Sequence, residues 1–240
     1  MFEGLKSGLY QTFILNDNYQ YFVKGIQTTL IVTVFALVLG VILGVIVAVI
    51  RSAHDQQPER KKSIFLRLAN LLCQVYLTVI RGTPMMVQLL IMWFVIWASA
   101  RATDANMIRC AILAFGINSG AYVAEIIRSG IMSIDKGQME AGRSVGLTYA
   151  TTMRCIIIPQ AFKNVLPALG NELITLLKET SVVTVIGLRD LTKGALIIQS
   201  KTYQAFVPFF AIAAMYLVMV LGLSWLMGKL ERRMRQSDLR

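Results

Sequence analysis

Residues 25–50, GIQTTLIVTVFALVLGVILGVIVAVI, carry no charged side chain in 26 consecutive positions. As a helix this run rises about 39 Å, enough to cross the ~30 Å hydrocarbon layer of a bilayer with some tilt. Hydrocarbon offers no water to backbone N–H and C=O groups, so a spanning segment must be a helix or part of a closed barrel. The run is continuously apolar, without strand-like alternation, and that selects the helix. Residues 203–228 form a second uncharged run of 26. With 56% hydrophobic residues, 15% charged residues and a mean hydropathy of +0.62, a soluble globular domain is excluded. The fold class is all-α and integral to the membrane.

The chain reads as a single transmembrane domain, 1–240, with five spans at about 25–50, 85–100, 107–133, 160–186 and 203–228. Residues 64–80 are expected to form an interfacial helix that enters obliquely. Arg81-Gly82-Thr83-Pro84 separates it from the span at 85–100, because proline disfavours helical geometry before it and opens a helix well. The span at 160–186 carries Asn171, Glu172, Lys178 and Glu179. It must face protein or water, since an intramembrane charge against lipid costs several kcal/mol. The opening residues, MFEGLKSGLYQTF, do not have the pattern of a cleavable signal peptide. Residues 1–20 are expected to be amphipathic or irregular and to lie outside the membrane.

Charge orients the bundle. Segment 51–67 carries Arg51, Arg60, Lys61, Lys62 and Arg67; segment 128–163 carries Arg128, Lys136, Arg143, Arg154 and Lys163. The tail adds Lys229, Arg232, Arg233, Arg235 and Arg240. These three segments hold 15 of the 24 Lys and Arg residues, against 7 in the segments on the other side. The positive-inside rule then puts the N-terminus outside, and the C-terminus and the loop 134–159 in the cytoplasm.

The net charge of +11 does not point to nucleic acid, because the basic residues flank spans and do not form one patch with interleaved aromatics. Cys73, Cys110 and Cys155 lack CxxC spacing and are expected to be reduced, packed small residues. His54 is the only histidine, which excludes a histidine-based metal site within the chain. HExxH, G-x-S-x-G and GxxxxGK[ST] are all absent, so neither hydrolytic chemistry nor a phosphate-cradling loop is expected here. A channel or an ion-coupled secondary transporter is a rival class. It would have no need of the segment described next.

Residues 140–159, EAGRSVGLTYATTMRCIIIP, place Glu140-Ala141-Gly142 three residues before Gly146, with Ile156, Ile158 and Pro159 at the end. The spacing resembles the E-A-A-x3-G-x9-I-x-L-P loop of ABC-transporter permeases, with Gly142 where a second Ala is usual and Ile158 where Leu is usual. Ile80-Arg81-Gly82-Thr83-Pro84, Ile117-Asn118-Ser119, Ala121 to Arg128, Leu166 to Glu172 and Leu177 to Ser181 are similar to the polar amino acid branch of ABC importers. So is the tail Glu231-Arg232-Arg233. The resemblance covers about residue 22 to the end. It implies a type I importer permease of about five spans in the bacterial inner membrane, doing no covalent chemistry and holding no cofactor of its own. It also implies two copies of a separate ATPase carrying ATP-Mg, a second permease subunit that is either a copy or a paralogue, and an extracellular amino-acid-binding protein.

Within that frame Glu140, Ala141, Gly142, Gly146 and Pro159 are the candidates for coupling to the ATPase. Glu140 suits the positive start of a short helix, Gly146 its exit, and Pro159 the restart of a helix towards the membrane. Glu172 is the leading candidate for substrate contact, a carboxylate suited to a guanidinium or ammonium. In relatives that import basic amino acids, the resemblance implies an acidic residue lining the cavity at this place. An ion pair with Lys178 or Arg81, or a capping contact, is the structural alternative. Asn118 and Ser119 are suited to a substrate carboxylate or to interhelical hydrogen bonds, and Tyr122 shares their face. Gln88 is a further cavity candidate. Glu125 and Arg128, spaced i, i+3, are expected to pair. Gly40-x-x-x-Gly44 matches a close-approach pattern that also arises often by chance in apolar spans. Met85, Met86, Trp93 and Trp97 are read as lining or interface anchors. Basic amino acids are the favoured substrates, with glutamine, glutamate or cystine as alternatives.

Overall fold

The structure is a computed structural model that describes residues 2–57 and 62–236; Arg60, Lys61 and Arg240, counted above for orientation, lie outside them. Every regular element among the described residues is helical. In chain order they are α1 (Phe2–Leu9), α2 (Tyr19–Gln56), α3 (Ile64–Arg81), α4 (Met85–Ile91), α5 (Asp104–Met132) and α6 (Lys136–Ser144). Then follow α7 (Tyr149–Thr152), α8 (Ile158–Glu179), α9 (Leu191–Thr202) and α10 (Phe206–Gln236). Four stretches are long and apolar enough to cross a membrane: Tyr19–Asp55, Ile64–Arg81, Asp104–Met132 and Phe206–Met234. The apolar helix Met85–Ile96 is shorter, and its 12 residues rise only about 18 Å. The 22 residues of α8 have the length but are more polar.

The chain packs as two compact units, and α2, α5, α8 and α10 each pass through both. The first unit comprises Met1–Leu37, Pro84–Gly116 and Leu173–Trp225. Its core is built on Val32, Leu89, Trp93, Phe115, Leu176 and Leu188, with Met85 and Trp97 packed against them. Trp93 is thus a core residue and Trp97 packs against the core, while Met86 is exposed. A second cluster centres on Phe22, Leu191, Ala195 and Ile198. There Asp190 caps α9, accepting from the backbone N–H of Thr192 at 3.0 Å and of Lys193 at 2.9 Å. Burial pushes this carboxyl above the usual range, and the hydrogen bonds from the cap oppose that rise.

The second unit comprises Val38–Thr83, Ile117–Glu172 and Leu226–Arg240. Val47, Cys73, Leu77, Ala121 and Ala124 form its core. All of α3 lies within this unit. It starts on Ser63, whose hydroxyl accepts from Leu66 N at 3.1 Å, and stops where Gly82 N donates to Thr78 O at 3.0 Å. Cys73 and Cys110 are buried as expected, but Cys155 is exposed, because the segment that carries it packs only one face against the unit.

Candidate substrate and coupling sites

Ser119 on α5 is fully buried and donates its hydroxyl to Glu172 Oε1 on α8 at 2.8 Å. The packing of α2 sets that position. A Cβ on Gly40 would stand 2.9 Å from both Cβ and Oγ of Ser119, and one on Gly44 would stand 2.5 Å from Val123 Cγ1. Gly40-x-x-x-Gly44 is therefore a real contact and not a chance match: two missing side chains let the backbone of α2 reach α5. From α3, Tyr76 donates its hydroxyl to Ile117 O of α5 at 2.6 Å. Asn118 is buried beside Ser119, and Tyr122 is exposed one turn further on. Gln88 is half-buried on α4 and belongs to the first unit.

Beyond Tyr122 the charges do not pair as expected. Glu125 accepts from Arg51 at 3.0 Å, and Arg128 pairs with Asp55 at 3.0 Å. The i, i+3 pair on α5 gives way to two bridges between α2 and α5, because close backbone approach brings partners from the neighbouring helix within reach. Arg81, considered above as a partner for Glu172, instead lies 3.9 Å from Glu125 Oε2 with its guanidinium over the Tyr122 ring. Arg51, Gln74, Thr78, Arg81 and Glu125 line a cleft of about 510 Å³.

The candidate coupling segment is two short helices joined by a turn. Asp135, not Glu140, serves the start of α6: its carboxylate accepts from Gly137 N at 2.6 Å, and Glu140 sits exposed in mid-helix. The helix closes with Gly146 N on Arg143 O at 3.0 Å and Leu147 N on Gly142 O at 3.1 Å. Gly146 has φ +88°, the left-handed geometry this paired ending requires. Thr148 then caps α7, accepting from Thr151 N at 3.2 Å. Gly142 packs against buried Thr152, where a Cβ would stand 2.6 Å from Thr152 Cγ2. The departure from Ala at this position thus follows from the branched residue opposite. Ala141 is exposed. Pro159 does not restart a helix, since α7 runs into α8 through a wide turn over Met153–Ile157 closed by Ile158 N on Met153 O. A widened turn just ahead accommodates a proline that would crowd a tighter one. An apolar groove of about 450 Å³ runs past Met139, Tyr149, Met153 and Ile157, with Glu140 and Arg143 among its charged lining. Burial raises the Tyr149 phenol above its ordinary value.

Residues 64–236 match the family described as the binding-protein-dependent transport system inner membrane component. The chain belongs to this family. It is a multi-pass component of the bacterial inner membrane. It is 42% identical over 163 residues to the arginine transport system permease protein ArtQ of Bacillus subtilis, covering 68% of this chain and 74% of that one. It is 39% identical over 168 residues to the glutamine transport system permease protein GlnP of Escherichia coli, covering 70% and 77%. Among solved structures, an amino acid ABC transporter crystallised with histidines is 44% identical with a TM-score of 0.79, over 90% of this chain and 94% of that one. An inward-facing methionine transporter, MetNI, shares the fold at 18% identity and a TM-score of 0.71, over 89% and 96%. In this inner-membrane component, sequence reasoning missed Tyr76, Thr152 and Asp135. Only Asp135, an N-cap residue one place before a helical run, carried a sequence signal.

Proposed function

We propose that this inner-membrane component is the permease subunit of an ATP-driven importer of polar amino acids, with basic amino acids as its first substrate class. One observation carries the substrate class: Glu172 is a half-buried carboxylate on α8, held by Ser119 at 2.8 Å. A carboxylate on a helix of this kind, hydrogen-bonded to a neighbouring hydroxyl, has the charge that a guanidinium or ammonium group needs. Relatives named for arginine and for glutamine both support amino acid transport, and the glutamine relative favours glutamine as the second reading.

In this reading the chain crosses the membrane five times, with its N-terminus outside, its C-terminus in the cytoplasm, and residues 64–80 as an oblique interfacial helix. A pairing detail supports that placing of α3. Tyr76 meets residue 117 while Arg81 meets Glu125, so α3 runs in the same sense as the end of α5. Two ATPase subunits, a second permease that is a copy or a paralogue, and an extracellular binding protein complete the assembly. ATP-Mg bound to the partner ATPase supplies the work by hydrolysis. The α6–α7 pair, stiffened by its closed turn and the Gly142–Thr152 contact, docks on the ATPase with Glu140, Ala141, Gly142, Gly146 and Pro159 in or beside the docking element. Its movement reaches α8 without a flexible joint, because α7 and α8 are continuous, and the cavity at Glu172, Ser119, Asn118 and Tyr122 changes the side it faces.

The test is uptake of labelled arginine into proteoliposomes holding this chain, its ATPase and its binding protein. The expected result is ATP-dependent uptake that falls at least about tenfold in Glu172→Gln with the complex still assembled, as for a lost charge-assisted contact. Uptake dominated by glutamine and indifferent to the substitution would return Glu172 to a structural role. Uptake without a working ATPase would refute the importer itself.

A further inference from the structure

The function proposed above leaves Arg81 without a task. This residue ends α3, and 45% of its side chain is exposed. Its guanidinium carbon stands 5.7 Å from the centroid of the Tyr122 ring, and Nη1 lies 3.9 Å from Glu125 Oε2. Glu125 already accepts from Arg51 at 3.0 Å. The five N–H donors of Arg81 are therefore matched by one long, shared ion pair and the face of a ring. Two guanidinium groups and one carboxylate leave a net positive charge on the cleft. Gln74 and Thr78 add polar groups to its wall, and its volume of about 510 Å³ lies within the usual ~300–1,000 Å³ of small-molecule sites. Such a cleft suits an oxyanion.

Position decides which oxyanion. Tyr122 follows Ser119 on α5 by three residues and Glu125 follows by six, a rise of about 4.5 and 9 Å. Ser119 holds Glu172, so a carboxylate and a guanidinium stand in sequence along one stretch of α5. A basic amino acid has the complementary pattern, a cationic end and an α-carboxylate separated by roughly 6–8 Å at bond lengths near 1.5 Å. We propose that Arg81 binds the α-carboxylate of the transported amino acid. Tyr122 holds the guanidinium in place, and Arg51 occupies Glu125 so that Arg81 remains available to the substrate. This inference rests on the amino acid reading but not on which amino acid is carried, because every α-amino acid presents the same carboxylate.

The experiment measures direct binding of arginine and of argininamide, which keeps size and cationic groups but loses the negative charge. It uses the purified permease–ATPase complex without the binding protein, in nanodiscs. Wild type is expected to bind arginine about 10- to 100-fold more tightly than the amide, the span of a charge-assisted pair. Arg81→Gln should abolish that preference by weakening arginine alone, Arg81→Lys should restore part of it, and Glu172→Gln should weaken both ligands alike. Equal binding of the two ligands by wild type overturns the proposal without any variant. An unchanged preference in Arg81→Gln overturns it too. A phospholipid phosphate is the other source of the same chemistry. Phosphatidylcholine discs are therefore compared with discs containing phosphatidylglycerol, and a loss in Arg81→Gln confined to the anionic discs, equal for both ligands, overturns the carboxylate assignment. If neither arginine nor its amide binds while glutamine does, the basic-substrate reading has failed. Glutamine against glutaminamide then tests Arg81 by the same criteria.

Discussion

Adding one methyl group at Gly40 should damage the substrate site through Ser119, although Gly40 is not itself a candidate for substrate contact. In an exposed helix, Gly→Ala stabilises by up to about 1 kcal/mol. At Gly40 the new Cβ would stand 2.9 Å from Ser119 Cβ and Oγ and 3.2 Å from Gly120 N. Ordinary carbon contacts need about 3.5–4.0 Å, so α2 and α5 must separate locally by about 0.6–1.1 Å. Overpacking of that kind costs about 1–3 kcal/mol. The Ser119–Glu172 hydrogen bond, 2.8 Å in the native chain, stretches towards or past the roughly 3.0 Å limit of a good O–H···O bond. Gly222 on α10 is the internal control, because a Cβ there meets nothing within 4 Å. We expect Gly40→Ala to melt about 2–12 °C below Gly222→Ala, the equivalent of about 1–3 kcal/mol in a chain of this size. Its arginine affinity should fall severalfold. Gly40→Ala with Ser119→Gly makes room for the methyl but deletes the hydroxyl, so melting should recover while affinity does not. Thermal size-exclusion profiles and equilibrium binding on the detergent-solubilised complex measure both quantities. A Gly40→Ala variant as stable as Gly222→Ala, with native affinity, would refute the reasoning.

Gly142→Ala should weaken coupling before it affects binding, because the added Cβ would stand 2.6 Å from Thr152 Cγ2 and pry α6 from α7. ATPase stimulation by loaded binding protein should fall severalfold at unchanged substrate affinity, and Thr152→Ala in the same chain should restore most of it. Asp190 makes the stability depend on pH with a definite sign. Its carboxyl is raised by burial, so the native state holds the proton to higher pH than the unfolded state. That penalty is fully present above the folded pKa and is relieved as pH falls towards the ordinary carboxylate range. Asp190→Asn keeps an acceptor for the α9 cap, so the wild-type minus variant melting difference should grow more negative as pH rises through the folded pKa and then level off. A difference independent of pH would show that Asp190 titrates as an ordinary carboxylate.

The helical class was legible at once, because a 26-residue uncharged run admits few other solutions in a bilayer. The half-burial of Glu172 was legible in the same way, since a charge on a long helix of an apolar chain needs protein or water around it. Which partner it takes was not legible. Arg81 and Lys178 were candidates by residue type, and the Ser119 contact depends on the depth to which α2 seats against α5. That depth is set by side chains that are absent, at Gly40 and Gly44, and an absence in a Val- and Ile-rich span has no periodicity to mark it. The charges on α5 misled for a related reason. Spacing along one helix is visible in sequence, so Glu125 and Arg128 looked paired, yet the close backbone approach brings Arg51 and Asp55 of α2 into reach. Gly142 repeats the lesson in the coupling segment, where the substitution of Gly for Ala is explained by Thr152, ten residues away. In each case the small residue fixes where a candidate site residue or its neighbour stands, and so, on the proposed function, changes there should alter binding or coupling while touching neither substrate nor ATPase.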